Sequence, residues 1–272
     1  MPIRNLALDM LREGRLALGA GVRFARTVDI GKAMKTAGYD WMFIDLEHSS
    51  IPLDVAAQVC LAALDADIAP LVRVPHGEIG LATRALDSGA LGIVMPHVES
   101  ADEAREIVAA LRLPPVGHRS YSGLNAQREF RIGSRIEAMA AVEQMTALVM
   151  MIESPNGVAE ADAIAAIPGV DILLIGTNDL CTEMGIAGQY DHPKVAEAYE
   201  KVVAACDRHG KFAGTGGVDN ELIARFVGMG ARFILSGTDM GFLMQGAAAR
   251  AKFLREMEGG EGTPPAPTHA RP

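Results

Sequence analysis

Residues 147–179 read ALVMMIESPNGVAEADAIAAIPGVDILLIGTND. Two apolar runs, 147–153 and 171–178, flank a stretch at 157–167 whose apolar residues recur at helical spacing. Each run is too apolar for a sheet with one wet face, the pattern of a parallel strand covered on both sides. The unit is therefore strand, helix, parallel strand. Upstream, strand-like runs occupy 16–22 (LALGAGV), 41–47 (WMFIDLE), 69–74 (APLVRV) and 92–96 (GIVMP), and downstream 212–217 (FAGTGG) and 233–238 (FILSGT). Helical patterns fill the gaps at 27–37, 53–66, 78–88, 100–111, 193–209, 219–229 and 241–257, several ending at a glycine (Gly38, Gly89, Gly210, Gly230) suited to a left-handed stop. Ser100 and Glu103 have the spacing of a capping box. Eight strands, each followed by a helix, with an extra helix at 3–13, predict an α/β fold: a (β/α)8 TIM barrel with an additional N-terminal helix. An open doubly wound sheet is the competing topology, but the first strand–helix turn carries no GxGxxG fingerprint. One long connection, 112–146, precedes the fifth strand, and connections of that length are usually functional or disordered.

The 272 residues suit one barrel of ~250 residues. Residues 1–257 carry no linker and read as a single domain. The last fifteen, 258–272 (EGGEGTPPAPTHARP), contain no large apolar residue and are expected to be a disordered tail. Lys+Arg 25 against Asp+Glu 34 leaves a net charge of −9, which argues against nucleic acid or an anionic membrane as partner. No apolar run approaches the ~20 residues of a membrane span, and the first residues lack a secretion signal, so a cytoplasmic location is expected. Cys60, Cys181 and Cys206 are odd in number and far apart, suggesting neither disulfides nor a zinc site.

Barrel active sites form at the carboxyl ends of the strands. In strand order these ends present Asp45, Glu47 and His48; Arg73; His97 and Glu99; Glu153; then Thr177, Asn178 and Asp179. Glu153 and Asp179 end consecutive strands, so their carboxylates can converge on a hard dication such as Mg2+ or Mn2+; the other reading makes one of them a helix cap or a surface ion pair. His48 reads either as a general base or as a hydrogen-bonded loop residue. Arg73, inside a strand, either faces an anionic ligand or is paired with an acid. His76, His118, His192, His209 and His269 gain no role from sequence. Gly214, Gly216, Gly217 and Gly237 offer a weak phosphate-site signal.

The segments DLEH (45–48), LVRVP (71–75), ALDSGALGIVMPHVES (85–100), ADEAR (101–105), MIES (151–154), GVDILLIGTNDL (169–180) and HPKV (192–195) together resemble the HpcH/HpaI aldolase family, the metal-dependent class II pyruvate aldolases of the 4-hydroxy-2-oxoheptanedioate type. The resemblance spans roughly residues 4–256. It implies a divalent ion (Mg2+ or Mn2+, with Co2+ a further option) held by Glu153 and Asp179. It implies His48 as base, Asp87 as the acid that orients it, and Arg73 on the pyruvyl oxygen. Gly176, Thr177 and Asn178 would face the substrate, while Asp45 and Glu47 would hold waters around the ion. The implied reaction is reversible cleavage of a 4-hydroxy-2-oxo acid to pyruvate, or a related 2-oxo acid, and an aldehyde through a metal-stabilised enolate. A homo-oligomer is implied too, a hexamer built as a trimer of dimers with the C-terminal helix exchanged.

Three positions depart from the family pattern. Met151 stands where glutamine is usual, small residues (Ala20, Gly21, Val22) replace a tryptophan near the end of strand one, and Ser120 follows Arg119 in place of glycine. These alter the pocket wall and imply a shifted donor or acceptor preference. Two alternative functions stand beside the aldolase: a citrate-lyase-β-like C–C lyase acting on acyl-CoA, for which no basic cluster is evident, and a non-catalytic barrel that binds a 2-oxo acid.

Overall fold

A computed structural model describes residues 3–257; the tail expected at 258–272 lies outside the described residues. In chain order the elements are α1 (Leu6–Arg12), β1 (Ala17–Val22), α2 (Asp29–Thr36), β2 (Trp41–Asp45), α3 (Leu53–Asp65), β3 (Ala69–Arg73), α4 (Ile79–Asp87), β4 (Gly92–Met95), α5 (Ala101–Leu111), α6 (Arg135–Met145) and β5 (Ala147–Ile152). They continue with α7 (Pro155–Ala165), β6 (Ile172–Gly176), α8 (Thr177–Glu183), α9 (Pro193–His209), β7 (Phe212–Gly216), α10 (Asn220–Met229), β8 (Phe233–Thr238) and α11 (Asp239–Glu256). The eight strands pair in parallel in sequence order, and β8 pairs with β1, with Gly19 opposite Leu235, so the sheet closes into a barrel rather than an open sheet.

Closure gives two apolar compartments. Inside the barrel, Phe43, Leu71, Val94, Val149, Met151, Ile172 and Leu174 fill the bore above Trp41, which stacks on Phe233 at 3.9 Å. Strand one is small for a steric reason: a Cβ at Gly19 would lie 2.1 Å from the Trp41 ring. Helix α1 plugs the amino-terminal end with Ala7, Leu8 and Leu11. Asn5 fixes the plug, its Nδ2 donating to the carbonyls of Leu91 and Met145 at 2.9 Å each. Outside the sheet, the second compartment packs the inner faces of the helices on alternate strand residues such as Met42, Ile44, Val72 and Ile93.

All eight expected strands and the nine expected helices are present, with ends shifted by a few residues. Ser100 caps α5 as anticipated, accepting from the Glu103 N–H at 3.2 Å; the Glu103 carboxylate accepts from the Glu99 N–H. The long connection is not structureless. It holds a 3-10 turn at Ala126–Arg128 and α6, capped by Ser134, over a small cluster of Leu113, Tyr121, Ala138 and Val142. Helix α8 begins at Thr177, where the sequence reads as strand to residue 178. No helix among the described residues is long and apolar enough to cross a membrane, and all three cysteines are free and buried.

Candidate active site

The carboxyl ends of the strands open onto a cavity of about 200 Å³. Its two sides differ in charge pairing. On the β1–β3 side, Asp45 is fully buried at the end of β2. Arg73, at the end of β3, grips it with both prongs: Nε donates to Oδ1 at 3.0 Å and Nη2 to Oδ2 at 2.6 Å. Arg23, one residue past β1, donates Nε to Oδ2 at 2.8 Å, and the backbone N–H groups of Glu47 and His48 donate to Oδ1 at 3.1 Å. Burial alone would raise the Asp45 pKa; the hydrogen bonds and charge of Arg73, then Arg23, outweigh it and hold the carboxyl at about 2. The remaining Arg73 nitrogen, Nη1, lies 3.1 Å from Glu47 Oε2, and its guanidinium carbon sits 5.0 Å over the Phe43 ring. His48 stands at the mouth, half-exposed, with Nε2 3.8 Å from Glu47 Oε2.

The β4–β6 side is short of cations. Glu153 follows β5 and is 1 % exposed. His97, held at a positive φ of 51° just beyond β4, turns its N–H onto Glu153 Oε2 at 3.0 Å, and its Nδ1 is 3.6 Å from the same oxygen. Asp179 lies in the first turn of α8. Atoms of His97, Glu153 and Asp179 able to bind a metal all fall within 4.8 Å of one another. Burial, with the Asp179 charge adding to it, pushes Glu153 well above the usual carboxylate range against the pull of His97 and Arg73. A buried, under-compensated carboxylate beside a second acid and an imidazole is a donor set that suits a divalent cation. Among the described residues lining the cavity there is no lysine, so no amine is placed for imine chemistry.

The β6–α8 corner shapes this half. A Cβ at Gly176 would meet Glu153 Oε1 at 2.3 Å, so glycine is what lets the carboxylate lie there. Thr177 is wholly buried and turns its hydroxyl away from the cavity: it donates to the Gly216 carbonyl at 3.1 Å and meets Tyr199 OH at 2.7 Å. Tyr199 OH in turn meets Thr215 Oγ1 at 2.6 Å. Because the Thr177 proton is committed to Gly216, Tyr199 must donate to Thr177 and Thr215 to Tyr199. Asn178 is exposed on the cavity wall, its side chain against Gly217.

His48, Arg73, Glu153, Asp179, Gly176, Thr177, Asn178 and Asp45 thus all line one cavity, with Glu47 joined to it through Arg73. Asp87 is not brought to them. It is the exposed last residue of α4, where the Arg119 charge acts on it. Helices run antiparallel to the strands, so this helix end lies at the amino-terminal face, separated from His48 by a strand length of about 16 Å. Two further residues matter: His97, noted at a strand end but given no role, and Arg23, whose position just after the apolar run 16–22 was the available signal. Met151 is buried and lines the cavity with Glu153, and Gly21 lines it on the opposite wall.

Comparison with known proteins matches residues 25–246 to the model of HpcH/HpaI aldolase/citrate lyase. The chain belongs to this family. Over 252 residues it is 37% identical to a 4-hydroxy-4-methyl-2-oxoglutarate aldolase, tasA, of Hapsidospora irregularis, covering 89% of this chain and 92% of that one. It is also 37% identical over 245 residues to a hydroxypyruvate/pyruvate aldolase of Roseovarius nubinhibens, covering 89% and 94%. Among solved structures, an HpcH/HpaI aldolase from Desulfitobacterium hafniense superposes with a TM-score of 0.88 at 30% identity, covering 94% of this chain and 98% of that one.

Proposed function

We propose that the protein is a divalent-metal-dependent aldolase, a carbon–carbon lyase that reversibly cleaves a 4-hydroxy-2-oxo acid into pyruvate, or a related 2-oxo acid, and a carbonyl acceptor. The observation that carries this reading is the convergence of Glu153 and Asp179, with His97 beside them, at a cavity whose opposite wall carries Arg23 and Arg73. The activities named for its relatives agree with it. Glu153 and Asp179 would hold the ion, Mg2+ or Mn2+, with His97 as a nitrogen donor beside them. A dication bound there supplies Lewis-acid polarisation of the 2-oxo group, which makes the C3 position acidic.

The chain's own groups do the rest. In the cleavage direction, His48 takes the proton from the C4 hydroxyl; the C3–C4 bond breaks, its electron pair passing toward C3 and the C2 oxygen, and C4 leaves as a carbonyl. Arg73 faces the cavity with its plane locked by Asp45 and Glu47, so its charge is fixed where negative charge develops on oxygen. A proton returned to C3 completes pyruvate. In the synthetic direction His48 removes that C3 proton instead.

Oligomerisation belongs to the same reading. None of the residues of α11 is buried, and Leu243, Met244, Phe253 and Leu254 are exposed along it, which supports a helix that packs on neighbouring copies in a hexamer. Within one chain Asp87 cannot reach His48, so its role as the orienting acid requires a second copy. The deciding assay is pyruvate release from a 4-hydroxy-2-oxo acid. EDTA should abolish it and Mg2+ or Mn2+ restore it; activity unaffected by chelation, or found only with CoA esters, overturns the proposal.

A further inference from the structure

We infer that Arg23 is a recognition site for a carboxylate on the acceptor half of the substrate, so that the preferred acceptor is an oxo acid rather than a neutral aldehyde. This rests on the aldolase reading above and deepens it. Arg23 is held at both ends. Its own N–H and those of Phe24 and Ala25 converge on the Asp239 carboxylate at 2.7–3.3 Å, which fixes the loop after β1. Its Nε is fixed on Asp45 Oδ2. Beyond these anchors, neither terminal nitrogen of Arg23 has a partner among the described residues, and the side chain remains 34 % exposed where it lines the cavity. Arg73 differs: all three of its nitrogens are engaged by Asp45 and Glu47, and its side chain is 6 % exposed. Two arginines thus share one aspartate, but only Arg23 keeps a pair of parallel donors to offer.

Position strengthens the inference. β1 lies across the closed barrel from β5 and β6, so Arg23 faces the acidic cluster across the cavity. Between them the wall is apolar, formed by Phe43, Met151, Leu174 and Leu235. A ligand reaching from one side to the other meets polar groups at its two ends and hydrocarbon in its middle, the pattern of a 4-hydroxy-2-oxo dicarboxylate. Gly21, beside Arg23, lets β8 close in on this wall: a Cβ there would meet Thr238 Cγ2 at 2.9 Å.

The test measures aldol addition of pyruvate to glyoxylate, which carries a carboxylate, and to acetaldehyde, which does not. The quantity read is the ratio of the two kcat/KM values, in which any general loss of donor chemistry cancels. Charged hydrogen bonds of this kind predict that Arg23→Leu lowers the glyoxylate-to-acetaldehyde ratio by about 10- to 100-fold relative to wild type. Arg23→Lys, which keeps the charge, should retain more of the ratio than the leucine variant. A ratio unchanged in Arg23→Leu, with both rates falling together, would show that Arg23 acts only through Asp45 and would overturn the inference while leaving the aldolase reading intact. If the wild-type protein with Mn2+ joins pyruvate to neither acceptor and releases no pyruvate from a 4-hydroxy-2-oxo acid, the aldolase reading itself fails and takes this inference with it.

Discussion

Replacing Gly176 with alanine tests whether the Glu153 carboxylate has to lie where it does. The backbone there accepts alanine without strain, at φ −85° and ψ 86°. The added methyl, however, would sit 2.3 Å from Glu153 Oε1, 2.7 Å from Cγ and 2.9 Å from Cδ. Ordinary contact begins near 3.4 Å, so the carboxylate must retreat by about 1 Å. The way open to it is into the cavity, which draws it off the His97 N–H that holds it. Displacements of that size at a reacting centre reduce rates by about 100-fold, and loss of correct ligand orientation weakens metal sites by 10- to 100-fold. We therefore expect Gly176→Ala to bind Mn2+ on the order of 100-fold more weakly, about 2.7 kcal/mol, with a parallel fall in kcat/KM. Isothermal titration with Mn2+, set beside a thermal melt, separates this from unfolding. Gly80→Ala is the control. It lies within α4 with nothing near its Cβ, and should raise stability by roughly 0.5–1 kcal/mol without touching the metal. Mn2+ affinity and turnover of Gly176→Ala within about threefold of wild type would refute the argument.

Three further outcomes follow from the same geometry. Glu153→Gln should lose bound metal, whereas His48→Ala should retain it and lose deuterium exchange at pyruvate C3; metal content by elemental analysis and exchange by NMR separate the two roles, and full exchange in His48→Ala removes that residue from the mechanism. Tyr199→Phe removes the donor to Thr177 and the acceptor for Thr215 at a site with no water access, so urea unfolding should show a loss of about 1–3 kcal/mol, with no loss counting against the hydroxyl chain. Asp45 is held at about 2 against an ordinary 3.8, so its contribution of about 2 kcal/mol is complete above pH 4 and is lost as pH falls through 2; Asp45→Asn should flatten that part of the stability–pH curve, and an unchanged slope would remove Asp45 as its source.

The barrel was legible because its evidence is local. Apolar runs covered on both faces, glycine stops and the Ser100 cap each report on their own few residues, and the strands and helices they predict are all present. The elements that went unread have weak local signals. α6 has no apolar stripe: only Ala138 and Val142 of its eleven residues are buried. α8 begins inside the run that ends β6, so a single apolar stretch conceals a change from strand to helix at Thr177. Asp87 illustrates a different limit. Its sequence neighbourhood matches the family pattern, but whether it can meet His48 depends on which face of the barrel the end of α4 occupies.

The division of labour among the acids depends on long-range pairing in the same way. Asp45, Glu47, Glu153 and Asp179 are equivalent by residue type and by their position after a strand. What separates them is which arginines reach them. β1 and β3 flank β2, so Arg23 and Arg73 both fall on Asp45, and Glu47 takes the remaining Arg73 nitrogen. β5 and β6 lie beyond reach of direct pairing with those arginines, and Glu153 meets a backbone N–H and an imidazole, both of His97. The first pair of acids is already paired with arginine, and Asp45 is pulled toward ionisation; on the second side Glu153 is driven the other way by burial and by its acidic neighbour. A dication has most to gain on the second side, which is why the proposed ligands are Glu153 and Asp179. The same reasoning makes Arg23, whose partner is shared, the arginine with donors left for a substrate.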